Sequence, residues 1–161
     1  MDNFTIIVDT REQAPFKFKE QKVITKKLDT GDYSVMGFES VIAIERKSGS
    51  DFLGSITTGR ERFKDCLLRL QGLERGYIIV EGELTSLMDG VEIKRAYKTE
   101  AGIKPKVKQT IGIHPNSLFG TVVSIMTRYH IPIIFSKNRK EAERFTLEIL
   151  KKFYKIKRLN D

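Results

Sequence analysis

Val41-Ile42-Ala43-Ile44-Glu45-Arg46-Lys47 passes without a break from four apolar residues to three charged ones. An unbroken apolar run of this length reads as a strand buried on both faces, and its charged end marks where that strand reaches the rim of a sheet. Upstream, Thr30-Gly31-Asp32 makes a turn into a short strand at residues 33–36, which Gly37 ends. Twelve residues separate Asp32 from Glu45, so a strand pair is expected to bring the two carboxylates to neighbouring strand ends. Lys47 leaves its strand on the same side as Glu45, because strand side chains alternate. Two acids and a lysine are thus expected at one point of a sheet.

The flanking segments extend that sheet. Residues 4–9 form a strand rich in β-branched residues, ending in Asp9-Thr10-Arg11-Glu12 and closed off by Pro15. A weaker strand is expected at 23–28. Beyond the charged run come a short helix at 50–56 and a longer one from Arg60, in which Phe63, Leu67 and Leu70 recur at helical spacing. Residues 77–81 read as another apolar strand ending in an acid. Over 117–130, Leu118, Val122, Ile125 and Tyr129 form one helical stripe, and Phe119, Val123 and Met126 form a second apolar face. A helix with two apolar faces asks for two partners. A strand at 131–135 leads to a last helix capped by Asn138, with Glu141 three residues on and Ala142, Phe145, Ile149 and Phe153 toward the core. Strands alternating with helices in this way predict an α/β fold, a central mixed β-sheet flanked by helices.

Length and charge bound the partners. The 161 residues suit one core, so a single domain over 1–161 is expected. A composition of 40% hydrophobic and 31% charged residues is that of a folded chain. The formal charge of +8 and pI near 9.6 attract polyanions, nucleic acid first and anionic membrane second. No apolar stretch is long enough to cross a bilayer and the amino terminus lacks a signal-peptide pattern, so a cytoplasmic setting, associated with nucleoid or viral DNA, is expected. Cys66 is the single cysteine, which excludes an intrachain disulfide and a cysteine-built zinc site. His114 and His130 are too isolated to act as metal ligands.

Paired carboxylates are hard oxygen ligands that suit magnesium or manganese. At a phosphodiester, such an ion stabilises charge on the phosphoryl oxygens and lowers the pKa of an attacking water. A lysine beside it can orient that water, help it lose a proton or balance the phosphate's charge. An isolated acid, or an isolated Glu-Arg-Lys triplet, would read as a solvated strand end; here the full arrangement decides. Gly31-Asp32, a strand pair, then Glu45-Arg46-Lys47-Ser48-Gly49-Ser50-Asp51 resembles throughout the motif GDXnERKX3D of the XPF-type structure-selective endonucleases, a branch of the PD-(D/E)XK nuclease superfamily. Ile6-Ile7-Val8-Asp9-Thr10-Arg11-Glu12 is similar to that family's first strand and its VDXRE signature. Asp51-Phe52-Leu53-Gly54-Ser55-Ile56, followed by Gly59-Arg60, resembles the segment after the motif. The resemblance is strong over residues 4–81 and one of pattern over 117–153.

The resemblance implies a restriction-endonuclease-like nuclease fold and a magnesium- or manganese-dependent endodeoxyribonuclease acting on branched or flap DNA. It implies metal binding by Asp32 and Glu45, with Asp9 near the metal and the Arg46 carbonyl oxygen a candidate further ligand. Lys47 would be the catalytic lysine. Arg11 would point toward the scissile phosphate, Arg11 or Arg46 would offset its charge, and Arg46 and Asp51 would hold the group in register by ion pairing. Glu12 completes the signature. A plainer alternative has Asp9 merely ending a strand and Arg11 pairing with Asp51. The rival functions are a non-cleaving DNA-binding or recruitment module of the same fold, and a general or sequence-selective nuclease. An intact acid-acid-lysine set speaks against the non-cleaving module.

Arg60, Arg62 and Lys64 open a helix behind the motif and are candidates to meet phosphates flanking the cut, although each alone also fits an ordinary charged helix face. Residues 92–110 carry Lys94, Arg95, Lys98, Lys104, Lys106 and Lys108 against Glu92 and Glu100, with Tyr97 among them. They read as a mobile basic hairpin or flap that tracks a phosphate backbone and stacks on a base, or else as a solvent-facing loop. XPF-type nucleases usually carry a tandem helix-hairpin-helix module after the nuclease domain. Only the basic run Lys155-Ile156-Lys157-Arg158 follows Phe153, so a stand-alone nuclease or an excised domain is expected. The family's nuclease domains pair, which implies a homodimer through the helices at 117–130 and 139–154.

Overall fold

The apolar run ending in Glu45, Arg46 and Lys47 is a strand deep inside a six-stranded sheet. A computed structural model describes residues 4–95, 98–99, 102–103 and 107–160, with 91–109 and 160 described by backbone alone. In chain order the elements are β1 (Thr5–Val8), β2 (Lys22–Thr25), β3 (Tyr33–Val35), β4 (Ile42–Ser48), α1 (Gly49–Thr57), α2 (Arg60–Gln71), β5 (Arg75–Glu81), α3 (Leu84–Met88), β6 (Val91–Arg95), β7 (Lys98–Thr99), β8 (Gly102–Ile103), β9 (Val107–Ile111), α4 (Pro115–Tyr129), β10 (Ile133–Ser136) and α5 (Arg139–Asn160). The sheet order is β10-β5-β4-β3-β1-β2. It is mixed because β3 runs antiparallel to both β1 and β4, while β1 with β2, β4 with β5 and β5 with β10 are parallel.

Two apolar layers cover the sheet, and strand alternation decides which residue joins which. On β4, Ala43 joins the layer of Phe52, Leu53, Leu67, Leu70 and Leu118, contributed by α1, α2 and α4. Its neighbours Ile42 and Ile44 face the opposite layer, with Tyr33, Phe16, Ala142, Leu150 and Phe153. The same parity on β5 sends Ile78 and Val80 to the first layer and Ile79 to the second.

Two local features fix the strand ends. Gly31 has φ +74°, and a Cβ there would lie 2.9 Å from the Ala43 Cβ and 3.0 Å from the Ile44 carbonyl oxygen, so only glycine allows this close turn. The turn lets the Asp32 N–H donate to the Ile44 oxygen at 2.8 Å, extending the β3–β4 ladder by one step. At the other end, Ser48 caps α1: its hydroxyl accepts from the Asp51 N–H at 3.1 Å and donates to the Asp51 carboxylate at 2.7 Å. This is a serine N-cap whose hydroxyl, and not its backbone N–H, meets the Asp51 carboxylate.

Two details differ from the sequence reading. Phe145 is 40% exposed, whereas Ala142, Thr146 and Leu150 are fully buried and Phe153 nearly so. The buried stripe of α5 is therefore centred on Thr146, whose hydroxyl is satisfied by the Ala142 carbonyl, and Phe145 falls at its edge. The short helix α3 was not anticipated. The segment expected as a hairpin or flap forms an antiparallel pair of β6 and β9, with β7 and β8 paired beyond it, in keeping with the hairpin; Ile111, at the end of β9, packs on the first apolar layer.

Candidate active site

Strand ends deliver the polar groups to one place. Asp9 follows β1, Asp32 precedes β3, and Glu45 and Lys47 lie on β4; all four line a cavity of about 600 Å³ on the face covered by α1 and α2. Arg11, Asp29, Ser50 and Asp51 also line it. The far wall is α2, which presents Arg62, Phe63, Cys66 and Arg69, and Ile111 closes one side.

Asp32 and Glu45 are the centre of the acidic wall. One Asp32 oxygen accepts the Arg46 backbone N–H at 2.7 Å. Burial, and then the charge of Glu45, push the Asp32 carboxyl up to about 7. The two carboxylates therefore share a space that lacks the positive charge needed to keep both ionised. Lys47 supplies part of it: its Nζ donates to Glu45 Oε1 at 3.1 Å and stands 5.1 Å from the centre of the Phe63 ring. Among the described residues no three His, Cys, Asp or Glu side chains gather as a ready-made metal cluster. A hard divalent ion such as magnesium keeps several waters and takes one or two carboxylates, and this pair meets that demand.

Asp9, expected near the metal, lines the same cavity as Asp32 and Glu45 and is held by its neighbours. It is 2% exposed, and its Oδ1 accepts both the backbone N–H and the Nε–H of Arg11, at 2.9 and 2.7 Å, while Oδ2 accepts the Leu28 N–H at 2.6 Å. Burial alone would raise its pKa; the Arg11 and Leu28 hydrogen bonds outweigh that and hold it below the usual carboxylate value. Three protein donors thus meet this carboxylate. Asp9 also anchors Arg11, whose Nη2 donates to the Leu28 carbonyl at 2.7 Å. The alternative pairing of Arg11 with Asp51 is not formed, because Asp9 is nearer in the chain and Asp51 is engaged by Ser48.

The Arg46 side chain turns away from the cavity. Sitting between Glu45 and Lys47 on a strand, it leaves on the opposite face of the sheet. There it donates to Glu12 through Nε and Nη2, at 2.8 and 2.9 Å, and to Glu81 through Nη1 at 2.9 Å. Arg139 at the start of α5 reaches the same Glu81 oxygen at 2.7 Å, and both guanidiniums lie over the Phe16 ring. Arg46 thus forms ion pairs, as expected of a residue that holds the group in register, and its partners Glu12 and Glu81 lie behind the sheet; Asp51 bonds to Ser48. Of the two arginines expected to offset phosphate charge, Arg11 lines the cavity and the Arg46 side chain does not.

Of the expected DNA-contacting residues, Arg62 lines the cavity, while Arg60 and Lys64 lie on the other flank of α2. Lys94 and Arg95 fall on β6, Lys98 on β7 and Lys108 on β9; Tyr97, Lys104 and Lys106 lie outside the described residues. Sequence reasoning missed Arg69, Cys66 and Glu81. Helical spacing could have found the first two, since 62, 66 and 69 share a face. Cys66 is a neutral thiol: burial, and then the charge of Glu45, push it up to about 12. Glu81 was legible only as an acid ending a strand.

Comparisons with known proteins identify the family and the fold. A family model described as the ERCC4 domain matches residues 8–149. The chain is 30% identical over 149 residues to a Methanocaldococcus jannaschii protein named "Putative ATP-dependent RNA helicase MJ1505"; the match covers 91% of this chain and 15% of that one. Among solved structures it resembles XPF from Aeropyrum pernix, with TM-score 0.64 and 24% identity over 91% of this chain and 60% of that one. It also resembles XPF from Aeropyrum pernix in complex with DNA, with TM-score 0.68 and 23% identity over 94% and 66%. No helix among the described residues is long and apolar enough to cross a membrane. The family match spans Asp9, Asp32, Glu45 and Lys47, and the chain belongs to the ERCC4 domain family, with the α/β fold of an XPF-type nuclease domain.

Proposed function

We propose that this chain is a divalent-metal-dependent DNA endonuclease acting on branched or flap DNA. The observation that carries the reading is the meeting of Asp32, Glu45 and Lys47 in one cavity, beside Arg11, in an ERCC4 domain. Magnesium or manganese held by Asp32 and Glu45 would stabilise charge on the phosphoryl oxygens and lower the pKa of the attacking water. Lys47, fixed against Glu45 and the Phe63 ring, orients that water for in-line attack and balances charge as the scissile bond lengthens. Arg11, anchored by Asp9, reaches the cavity with its side chain 64% exposed and binds a phosphate oxygen. An intracellular setting, where DNA is met, follows from this activity.

Cleavage of end-labelled flap, splayed-arm and linear duplex DNA with magnesium or manganese tests the reading. Wild type should cut the branched substrates, and Asp32→Asn and Lys47→Ala should each lose at least about a hundredfold in rate while still binding DNA. Wild type that binds with a steep salt dependence and cuts nothing would point instead to a binding module.

The pH dependence of metal-free stability is a second check. The folded chain keeps the Asp32 proton up to about pH 7, whereas an unfolded aspartate releases it near 3.8. Unfolding therefore releases a proton between those values, and stability falls as pH rises through them. Thermal melts without metal should show wild type losing stability from pH 5 to 8, and Asp32→Asn losing less. Manganese at pH 8 should raise the wild-type melting temperature and leave the variant nearly unmoved. Parallel pH curves for the two proteins would contradict this account of the site.

A homodimer is part of the same proposal. Phe119, Val123 and Met126 on α4 are 55, 41 and 40% exposed, and Phe145 and Ile156 on α5 are 40 and 48% exposed. Apolar rows of this kind suit a second copy of the chain. Analytical ultracentrifugation should find a dimer at micromolar concentration that Phe119→Glu converts to monomer; wild type sedimenting as a monomer would remove this element.

A further inference from the structure

A second groove, of about 410 Å³, lies between α2 and α4. It shares Ser55 and Phe63 with the catalytic cavity as a common wall. The helix α2 is the ridge between the two: Arg62 and Arg69 line the cavity, while Arg60 and Lys64 line the groove. Among the described residues lining the groove, the cations Arg60, Lys64 and Arg128 face a single acid, Glu61.

The opposite bank has the chemistry to match. On α4, Leu118, Val122 and Ile125 are buried in the core, and the exposed Phe119, Val123 and Met126 lie on one flank. The 3.6-residue repeat brings Ser117, Thr121, Ser124 and Arg128 together on the other flank, toward the groove. Hydroxyls and cations without an aromatic stacking partner of high exposure suit phosphate oxygens rather than base edges. A helix with its side chains is about 10–12 Å across, and a major groove about 12 Å wide accommodates one between two backbones.

We propose that this groove carries the phosphate backbone of the second DNA strand, the one that is not cut, while the catalytic cavity takes the strand that is. The assignment rests on the nuclease reading and deepens it: α2 stands between the two strands, and the groove is where a two-stranded or branched substrate gains over a single strand. Arg128 grips a phosphate by its guanidinium, Lys64 does so from the facing helix, and Ser117 adds a hydroxyl donor along the track, while the Thr121 hydroxyl donates to the Ser117 carbonyl.

Fluorescence anisotropy without divalent metal, so that nothing is cut, separates the possibilities. The probes are a splayed-arm DNA and a single strand of the same sequence. Ser117→Glu combined with Arg128→Glu places negative charge at two exposed positions about 16 Å apart along α4. This double variant should bind the splayed arm at least about tenfold more weakly, with a salt dependence shallower by about one counterion, and bind the single strand within about twofold of wild type. Thr121→Lys should tighten splayed-arm binding, and Lys152→Glu on α5 should change neither affinity. Unchanged splayed-arm binding in the double variant, or equal weakening for both probes, overturns the assignment of the groove and leaves the nuclease reading standing. Wild type that binds neither probe at low salt overturns both.

Discussion

The backbone hydrogen bond from Arg46 to the Asp32 carboxylate, 2.7 Å long, joins the two halves of the motif at the residue whose side chain points the other way. On one face of the sheet, that N–H fixes Asp32 beside Glu45 and Lys47. On the other face, the Arg46 guanidinium binds Glu12 after β1 and Glu81 at the end of β5, and Glu81 in turn binds Arg139 at the start of α5. One strand residue thus ties the catalytic turn to the sheet and the sheet to the helix behind it. These groups are mostly out of water, with Arg46 and Glu12 side chains 12 and 4% exposed. Breaking such a buried pair by removing one member typically costs about 3–5 kcal/mol, because the other charge is left without compensation. The strain of assembling two carboxylates is set against that scaffold.

Charge is distributed to use the cavity's two walls. The sheet side carries Asp32 and Glu45, and the helix side carries Arg62 and Arg69. A phosphodiester is an anion that must approach two anions; it can do so only if cations flank it and another sits between. Arg11, Lys47, Arg62 and Arg69 are the flanking cations, and the raised pKa of Asp32 marks where positive charge is still wanted. The overall charge of +8 brings the polyanion to the surface, but the local arrangement decides how it is held. The neutral Cys66 thiol faces Glu45 from α2 without adding a competing charge.

Strand elements around the motif were legible in the sequence because apolar runs with abrupt charged ends have few other interpretations. The same alternation that put Lys47 with Glu45 also put Arg46 behind the sheet, where its ion-pair partners Glu12 and Glu81 come from distant segments that no local pattern names. Asp9 could not be resolved from sequence: whether a carboxylate meets a metal or its own backbone depends on where Leu28 and Arg11 fall, which is a matter of loop geometry. Arg69 lay hidden in an ordinary charged helix until α2 was docked against the sheet. Phe145 illustrates a different limit, since a stripe read from apolar residues alone overlooks a buried Thr146 whose hydroxyl is satisfied within the helix. The groove beside α4 needed two helices far apart in sequence to come together, and no local pattern announces that.

In the proposed function, Asp32 and Glu45 would together hold a divalent ion at the foot of Lys47. The most direct test is anomalous diffraction from crystals of the wild-type chain grown with manganese, paired with crystals of Glu45→Gln. The account predicts one strong anomalous peak within coordination distance of both carboxylates, lost or displaced in the variant, with Asp9 still bound to Arg11. A peak held by Asp9 with Arg11 displaced, or a wild-type cavity without a peak at saturating manganese, would contradict it.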